Sequence, residues 1–157
     1  VAALTGRADP KAPPRVEDRT ATRRALLAHP ECLACGGPAS NGHHVLPVGR
    51  GQSGDDVVEN VVGLCGTGAM LCHGAFHGSP YVITLGHEWT EPAKGGGTAL
   101  RAAYRTERRD REWVARRIGE RLPGERPDVV AYVLRKLGDG PGRDFLRRVY
   151  HLHLEAE

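Results

Sequence analysis

HHVLPVGRGQSGDDVVENVVGLCGTGAMLCHGAFH, residues 43–77, decides how this chain is read. Two adjacent histidines, His43 and His44, open the stretch, Asn60 lies inside it, and Cys72-His73 with a further histidine, His77, closes it. Cys65 and Cys72 fall within it and Cys32 and Cys35 just ahead, so all four cysteines gather around these histidines. His29 precedes the first cysteine, which puts five of the eight histidines in one half of the chain. Such a density of imidazole and thiol is rarely packing alone.

The pattern inside the stretch predicts strand, strand, helix. Residues 42–47 read as a short strand and 49–56 as a glycine-rich turn. Residues 60–64, NVVGL, read as the returning strand, with Val61, Val62 and Leu64 its apolar members. Gly66-Thr67-Gly68 makes a second loop, and a helix starts near Leu71 or Cys72 and carries His73 and His77.

Outward from there, residues 18–28 suit a short helix ended by Pro30. Residues 1–17, with Pro10, Pro13 and Pro14 and no apolar periodicity, read as a disordered lead. Residues 81–85, YVITL, read as another strand, and Lys94-Gly95-Gly96-Gly97 as a linker. From Thr98 the pattern reads as helical: an arginine-dense segment 98–121, a helix 128–137 opened by Pro127 and closed by Gly138, and a last helix over 142–152. The expected plan is an α+β chain with a core over 18–90 and a helical C-terminal region over 98–157. Trp89 and Trp113 are expected as core anchors.

Hydrophobic residues make up 39% and aromatics 5%, so the core should be small for the length and a metal staple would help it. No apolar run approaches the roughly 20 residues that span a bilayer, so no membrane partner is expected. The start of the chain lacks a charged-then-apolar signal pattern, which predicts a cytoplasmic protein whose thiols stay reduced. Position 1 is Val, not Met, consistent with a removed or unseen preceding piece. Net charge is +3, and all cations but Lys11, Lys94 and Lys136 are arginine. Arginine's planar fork suits phosphate; a GC-rich genome would also favour it. In residues 101–126 arginines alternate with acids, the mark of a solvated helix face with i,i+4 pairs, part of which could also touch DNA.

Cys32-x2-Cys35 and Cys65-x6-Cys72 make two thiol pairs. Four thiolates in two pairs suit a closed tetrahedral zinc site. The second spacing is longer than usual, and Gly66 and Gly68 would let that loop fold back. Redox use is poorly supported, because Cys32-Leu-Ala-Cys35 opens no βαβ pattern. His73 and His77, at i and i+4 on a helix, share one face about 5–6 Å apart at Cβ, which makes a two-ligand clamp for a divalent ion. A third ligand must come from elsewhere, and His43 or His44 on the facing strand is the obvious source. Neighbours on a strand point to opposite faces, so one can ligate while the other is free to act as a base. Three protein ligands leave positions open, as a catalytic site requires.

Cys-x2-Cys, then His43-His44, then Glu59-Asn60-Val61-Val62-Gly63-Leu64-Cys65, then Cys72-His73-x3-His77 resembles the HNH endonucleases, also called ββα-metal nucleases. The resemblance is to the variant with cysteine-bound zinc found in bacteriophage and prophage genomes, and it covers about residues 32–77. It implies a ββα-metal core. In it His43, His73 and His77 hold a catalytic divalent cation (Mg²⁺, Mn²⁺, Ni²⁺ or Zn²⁺) and Cys32, Cys35, Cys65 and Cys72 hold a structural Zn²⁺. His44 is the general base, and Asn60 ties the two strands together and keeps the base oriented. The longer loop from Cys65 to Cys72 is the main departure. Asp55 and Asp56, in the turn, receive no catalytic role from the resemblance.

The resemblance implies hydrolysis of DNA phosphodiesters to 5′-phosphate and 3′-hydroxyl ends, in a phage or mobile-element setting with partner proteins of that setting. An ordinary histidine, with a pKa of about 6.5, suits proton abstraction from water near neutrality. Two other readings stay open. A non-catalytic zinc-bearing DNA module would need the cysteines but not all four histidines. A bacteriocin-like nuclease toxin usually lacks cysteine knuckles.

Overall fold

Two short strands, β1 (Asn41–His44) and β2 (Val61–Leu64), pair antiparallel in the computed structural model, which describes residues 20–156. The expected disordered lead, 1–17, lies outside the described residues. His43 pairs with Val62 and His44 with Val61, so the two histidines sit at the open end of the ladder, where the chain leaves for the turn. A single turn of 3₁₀ helix, Val58–Asn60, leads into β2, and every residue of β2 is buried. Helix α1 (Ala21–Ala28) packs on this sheet through buried Ala21 and Ala25. Helix α2 (Leu71–Phe76) follows, with His77 just past its last residue. The strand, strand, helix order is thus present.

Three further helices close the fold: α3 (Arg111–Glu125), α4 (Pro127–Leu137) and α5 (Asp139–Tyr150). Asp110 caps α3 by accepting from the Trp113 amide at 2.9 Å. Pro127 opens α4 and Gly138, at φ 82°, ends it, as the sequence predicts. Val114, Ile118 and Leu122 of α3, Val133 of α4 and Leu146 of α5 join Leu46, Val62, Leu64 and Phe76 in one apolar cluster. The helical region is therefore built onto the sheet and not strung beside it.

Arg126, between α3 and α4, fastens the two parts. It is 2% exposed. Its guanidinium meets Asp128 through two bonds, of 3.0 and 2.9 Å, and donates to the carbonyls of Val61 at 2.6 Å and Val58 at 3.0 Å. A buried cation is tolerated only with such full pairing.

The helical reading of residues 98–109 is corrected. Tyr81–Pro92 (β3) and Thr98–Arg109 (β4) form a second antiparallel sheet, a two-stranded ribbon in register from Tyr81↔Arg109 to Pro92↔Thr98. Leu100 and Tyr104, four apart, share a face on a helix and equally on a strand, so their spacing does not separate the two. The glycines at 95–97, all at φ between 80° and 97°, are the turn of this hairpin and not a linker. The helical region begins at Arg111. Trp113 packs against the core as expected, but Trp89 stands on the ribbon, 40% exposed.

Candidate metal and histidine site

The four cysteines converge. Their sulfurs all lie within 4.8 Å of one another, and Cys35 and Cys65 are 3.6 Å apart. A tetrahedral ion with metal–sulfur bonds of about 2.3 Å sets sulfurs about 3.8 Å apart, so the set fits zinc with little movement. All four are free thiols.

Local backbone explains the convergence. The Gly36 amide donates to the Cys32 carbonyl at 2.8 Å and the Cys32 amide to Gly37 at 2.6 Å, a tight knuckle that turns both sulfurs inward. The Gly37 amide donates to Cys35 Sγ at 3.4 Å. The long Cys65–Cys72 loop closes because Gly66 takes φ 90° and because Gly74 lets α2 sit against Ala69. A Cβ at Gly66 would overlap the Met70 carbonyl, and one at Gly74 would overlap Ala69. Leu71 adopts φ 52°, a left-handed conformation that costs a non-glycine residue of order 1 kcal/mol. Arg121 and Arg117 of α3 donate to the carbonyls of Cys32 and Ala34, each at 3.2 Å, so these two arginines brace the knuckle.

The crowded thiols divide their protons unequally. Hydrogen bonding from Cys72 pulls the Cys32 thiol down to about 4. The same bond, with burial, pushes Cys72 strongly up, and burial pushes Cys65 up to about 11. Ionising Cys32 thus holds Cys72 protonated, and a bound cation would offset the repulsion and burial that oppose further thiolates.

About the sheet end and α2 lies a cavity of about 510 Å³ lined by His43, His44, His73, His77, Arg111 and Tyr150 among others. His43 is buried, its ring 4.2 Å from Phe76 by centroids, and its Nε2 meets the Tyr150 hydroxyl at 2.9 Å. That hydroxyl also donates to the Val45 carbonyl at 3.1 Å. Burial, and then the nearby His77, His73, His44 and Arg111, push His43 down to about 3, so its imidazole is neutral at neutral pH. His77 is also lowered, by burial and then by His73 and Arg111. A neutral imidazole is the form that ligates metals.

His73 Nδ1 donates to the Gly68 carbonyl, 3.1 Å away, which leaves Nε2 as the nitrogen that can ligate. This is the posture of a metal-bound histidine held by its second nitrogen. Two imidazoles on one tetrahedral ion have centroids roughly 5 Å apart, given metal–nitrogen bonds of about 2.0–2.1 Å. His73 and His77 already stand at 4.7 Å, whereas His43 and His77 are at 6.2 Å, so His43 must close in by about 1 Å to join them. Among the described residues the four sulfurs are the one group of such side chains that meets at a common point without movement.

His44 lines the same cavity, but its Nε2 is turned to Asp56. Its Nε2 lies 3.0 Å from Asp56 Oδ1, with both side chains a little over a quarter exposed. Asp55 is not at the site: it accepts from the Tyr132 hydroxyl at 2.9 Å and pairs with Lys136 at 2.9 Å. Asn60 is fully buried and spans the turn. Its Oδ1 accepts from the Leu46 amide at 2.8 Å, and its Nδ2 donates to the carbonyls of Leu46 at 2.9 Å and Asp55 at 2.8 Å. It thus binds the exit of β1 to the turn that carries Asp56.

Sequence reasoning missed that Arg111 and Tyr150 line this cavity and that Asp56 contacts His44. Arg111 sits 4.9 Å over the Phe76 ring at the cavity edge and has no carboxylate partner among the described residues. As the first residue of α3 it stands at the positive end of the helix, where a cation is disfavoured by roughly 0.3–1 kcal/mol. Among the described residues no helix is long and apolar enough to cross a membrane. No family model, curated protein or solved structure matches this chain.

Proposed function

We propose that this protein is a metal-dependent DNA endonuclease of the HNH kind, with β1, β2 and α2 as its ββα-metal core and Cys32, Cys35, Cys65 and Cys72 holding a structural zinc. The observation that carries the reading is the meeting of His43, His44, His73, His77 and Arg111 around one cavity, beside four converging thiols. The phage or mobile-element setting rests on the sequence resemblance alone.

A divalent cation on His43, His73 and His77 would neutralise the charge that develops on the phosphate and on the leaving 3′ oxygen. The chain's own groups supply the rest. His44 gives its Nε2 proton to the hydrogen bond with Asp56, which leaves Nδ1 as the basic nitrogen that takes a proton from water. The Asp56 carboxylate then stabilises the imidazolium that forms. Arg111, at the cavity edge and without a carboxylate partner among the described residues, would donate through its planar fork to a phosphodiester oxygen. Asn60 keeps the segment between His44 and Asp56 in shape.

A plasmid-nicking assay tests the reading, with EDTA, Mg²⁺, Mn²⁺, Ni²⁺ and Zn²⁺ in parallel. The expected result is nicked or linear plasmid with at least one metal, none with EDTA and none with His44→Ala. DNA binding without cleavage under every metal would identify a non-catalytic zinc-bearing DNA module instead.

A further inference from the structure

The β3–β4 ribbon lacks the support that the rest of the chain has. One face is half-covered at its base, at Tyr81, Ile83, Leu85, Glu107 and Arg109, and again near the turn at Glu91 and Ala99. Residues 86–90 and 100–106 are exposed on both faces. Twelve paired levels make it roughly 40 Å long at about 3.3 Å per residue. A two-stranded ribbon by itself is marginally stable in water, so one of its faces calls for a partner.

The two faces differ in kind. One is satisfied within the chain: Arg101 pairs with Glu91 at 2.6 Å and His87 stacks on Trp89 at 5.7 Å. The other carries three large apolar side chains in the open, Val82 at 65%, Leu100 at 67% and Tyr104 at 69% exposure. Its remaining positions are threonine, alanine, glycine and proline, apart from one acid, Glu88, and one base, Arg108. Neither has an ion-pair partner among the described residues. The face therefore sums to zero charge, which gives it no attraction for nucleic acid.

Its pattern is self-complementary. Val82 pairs with Arg108, Gly86 with Tyr104 and Thr90 with Leu100, so the apolar residues stand at even intervals with Tyr104 at the centre. A Cβ at Gly86 would touch the Tyr104 ring at 3.0 Å, which places that ring across the middle of the face. A half-turn about an axis through the Gly86–Tyr104 level, lying in the plane of contact, sets Tyr104 on Tyr104 of a second copy. The same rotation brings each Val82 to the level of the other copy's Leu100. It also brings each Glu88 within two residues, about 7 Å along the ribbon, of the other copy's Arg108. An isologous interface requires a patch that matches itself in this way.

We propose that this ribbon face, Val82, Tyr104 and Leu100 with Glu88 and Arg108, is the docking surface for a second copy of the chain in a two-fold dimer. The face offers about 400 Å² per copy from its length and a width of about 10 Å. The total, about 800 Å², is below the roughly 1,200 Å² at which stable specific interfaces begin, so the dimer is weak and reversible and its population depends on concentration. The proposal does not depend on the nuclease reading.

Sedimentation velocity of the full, zinc-loaded chain from low to high micromolar concentration tests it. The expected result is a monomer that becomes a dimer. Tyr104→Glu should raise the dissociation constant about tenfold or more, as loss of a central aromatic anchor does, while Trp89→Ala on the opposite face should leave it unchanged. Glu88→Arg and Arg108→Glu should each weaken the dimer, and the two together should restore it, a rescue that a folding defect would not give. A monomer at every concentration, or a dimer indifferent to Tyr104→Glu and to the charge reversals, would overturn the proposal.

Discussion

His44 Nε2 stands 3.0 Å from Oδ1 of Asp56, and the two residues are joined through the turn that Asn60 pins. A carboxylate on one imidazole nitrogen fixes the ring and leaves the other nitrogen basic. If His44 is the base, Asp56→Ala should lower the cleavage rate about 10- to 100-fold, less than the full worth of a general base. Metal affinity should not change, because Asp56 touches none of the three candidate ligands. Steady-state cleavage rates beside metal titrations of the same variant check this; an unaltered rate removes Asp56 from the site.

The thiol cluster leads to a prediction about metal content. We expect one tightly held zinc per chain at Cys32, Cys35, Cys65 and Cys72. Cys35→Ser should lose that zinc and unfold the core, since binding energy at such a site is folding energy. Gly74→Ala should weaken the site by a different route, by pushing α2 away from Ala69. Elemental analysis with thermal melting is the measurement. A zinc-free parent protein, or Cys35→Ser with an unchanged midpoint, contradicts the assignment.

His43 makes stability depend on pH. Burial first, then the nearby histidines and Arg111, hold its folded pKa near 3, below the ordinary value of about 6.5. The unfolded chain therefore takes up a proton that the folded chain refuses. The stability that neutral His43 brings is complete above about pH 6.5 and is lost as pH falls from there toward 3, at about 1.4 kcal/mol per pH unit. His77 shifts in the same direction. Measured against His43→Gln, the parent's thermal midpoint should fall more steeply between pH 7 and 5. Parallel curves for the two proteins would show that His43 is not held neutral.

Arg126 carries the join between helices and sheet. Arg126→Met removes the partner of Asp128 and strips donors from the carbonyls of Val61 and Val58. Asp128 is 42% exposed and water can solvate it, so the cost is that of the carbonyls left without donors, about 1–3 kcal/mol for each that stays buried. Thermal denaturation should show a midpoint lower by roughly 10 °C, and Arg126→Lys should recover only part of it, because an ammonium cannot form the fork with Asp128. A midpoint within a degree or two of the parent's would mean the site relaxes around the loss.

Much of the sulfur site was legible because its parts are local. Cys32-x2-Cys35 is a knuckle by spacing, and the glycines beside Cys65 announce a loop that folds back. Asn60 was readable as a tie through the resemblance, since a neutral amide both donates and accepts, with a simple Asx turn as the alternative. The ribbon was not legible from Thr98 on. Leu100 and Tyr104 lie four apart, a spacing common to helices and strands, and alanine and arginine between them favour the helical reading. Arg111 and Tyr150 were hidden for another reason: they come from α3 and α5, and only the tertiary packing of those helices on Phe76 and His43 brings them to the cavity.

The adjacent histidines should separate by function. On β1 the rings diverge: His43 turns inward to Phe76, His77 and Tyr150, and His44 turns to Asp56. Neighbours on a strand point to opposite sides, so the pair does not easily hold one ion together. His44→Ala should abolish cleavage and leave divalent-ion affinity nearly unchanged, because a base contacts water. His43→Ala and His73→Ala should each weaken the ion, because each removes one of three ligands, and excess Mn²⁺ should partly rescue these two but not His44→Ala. Isothermal titration of Mn²⁺ into each zinc-loaded variant separates the roles. Loss of the ion in His44→Ala with retention in His43→Ala would reverse the assignment and move the base to His43, whose bond to Tyr150 would then orient it as Asp56 was expected to orient His44.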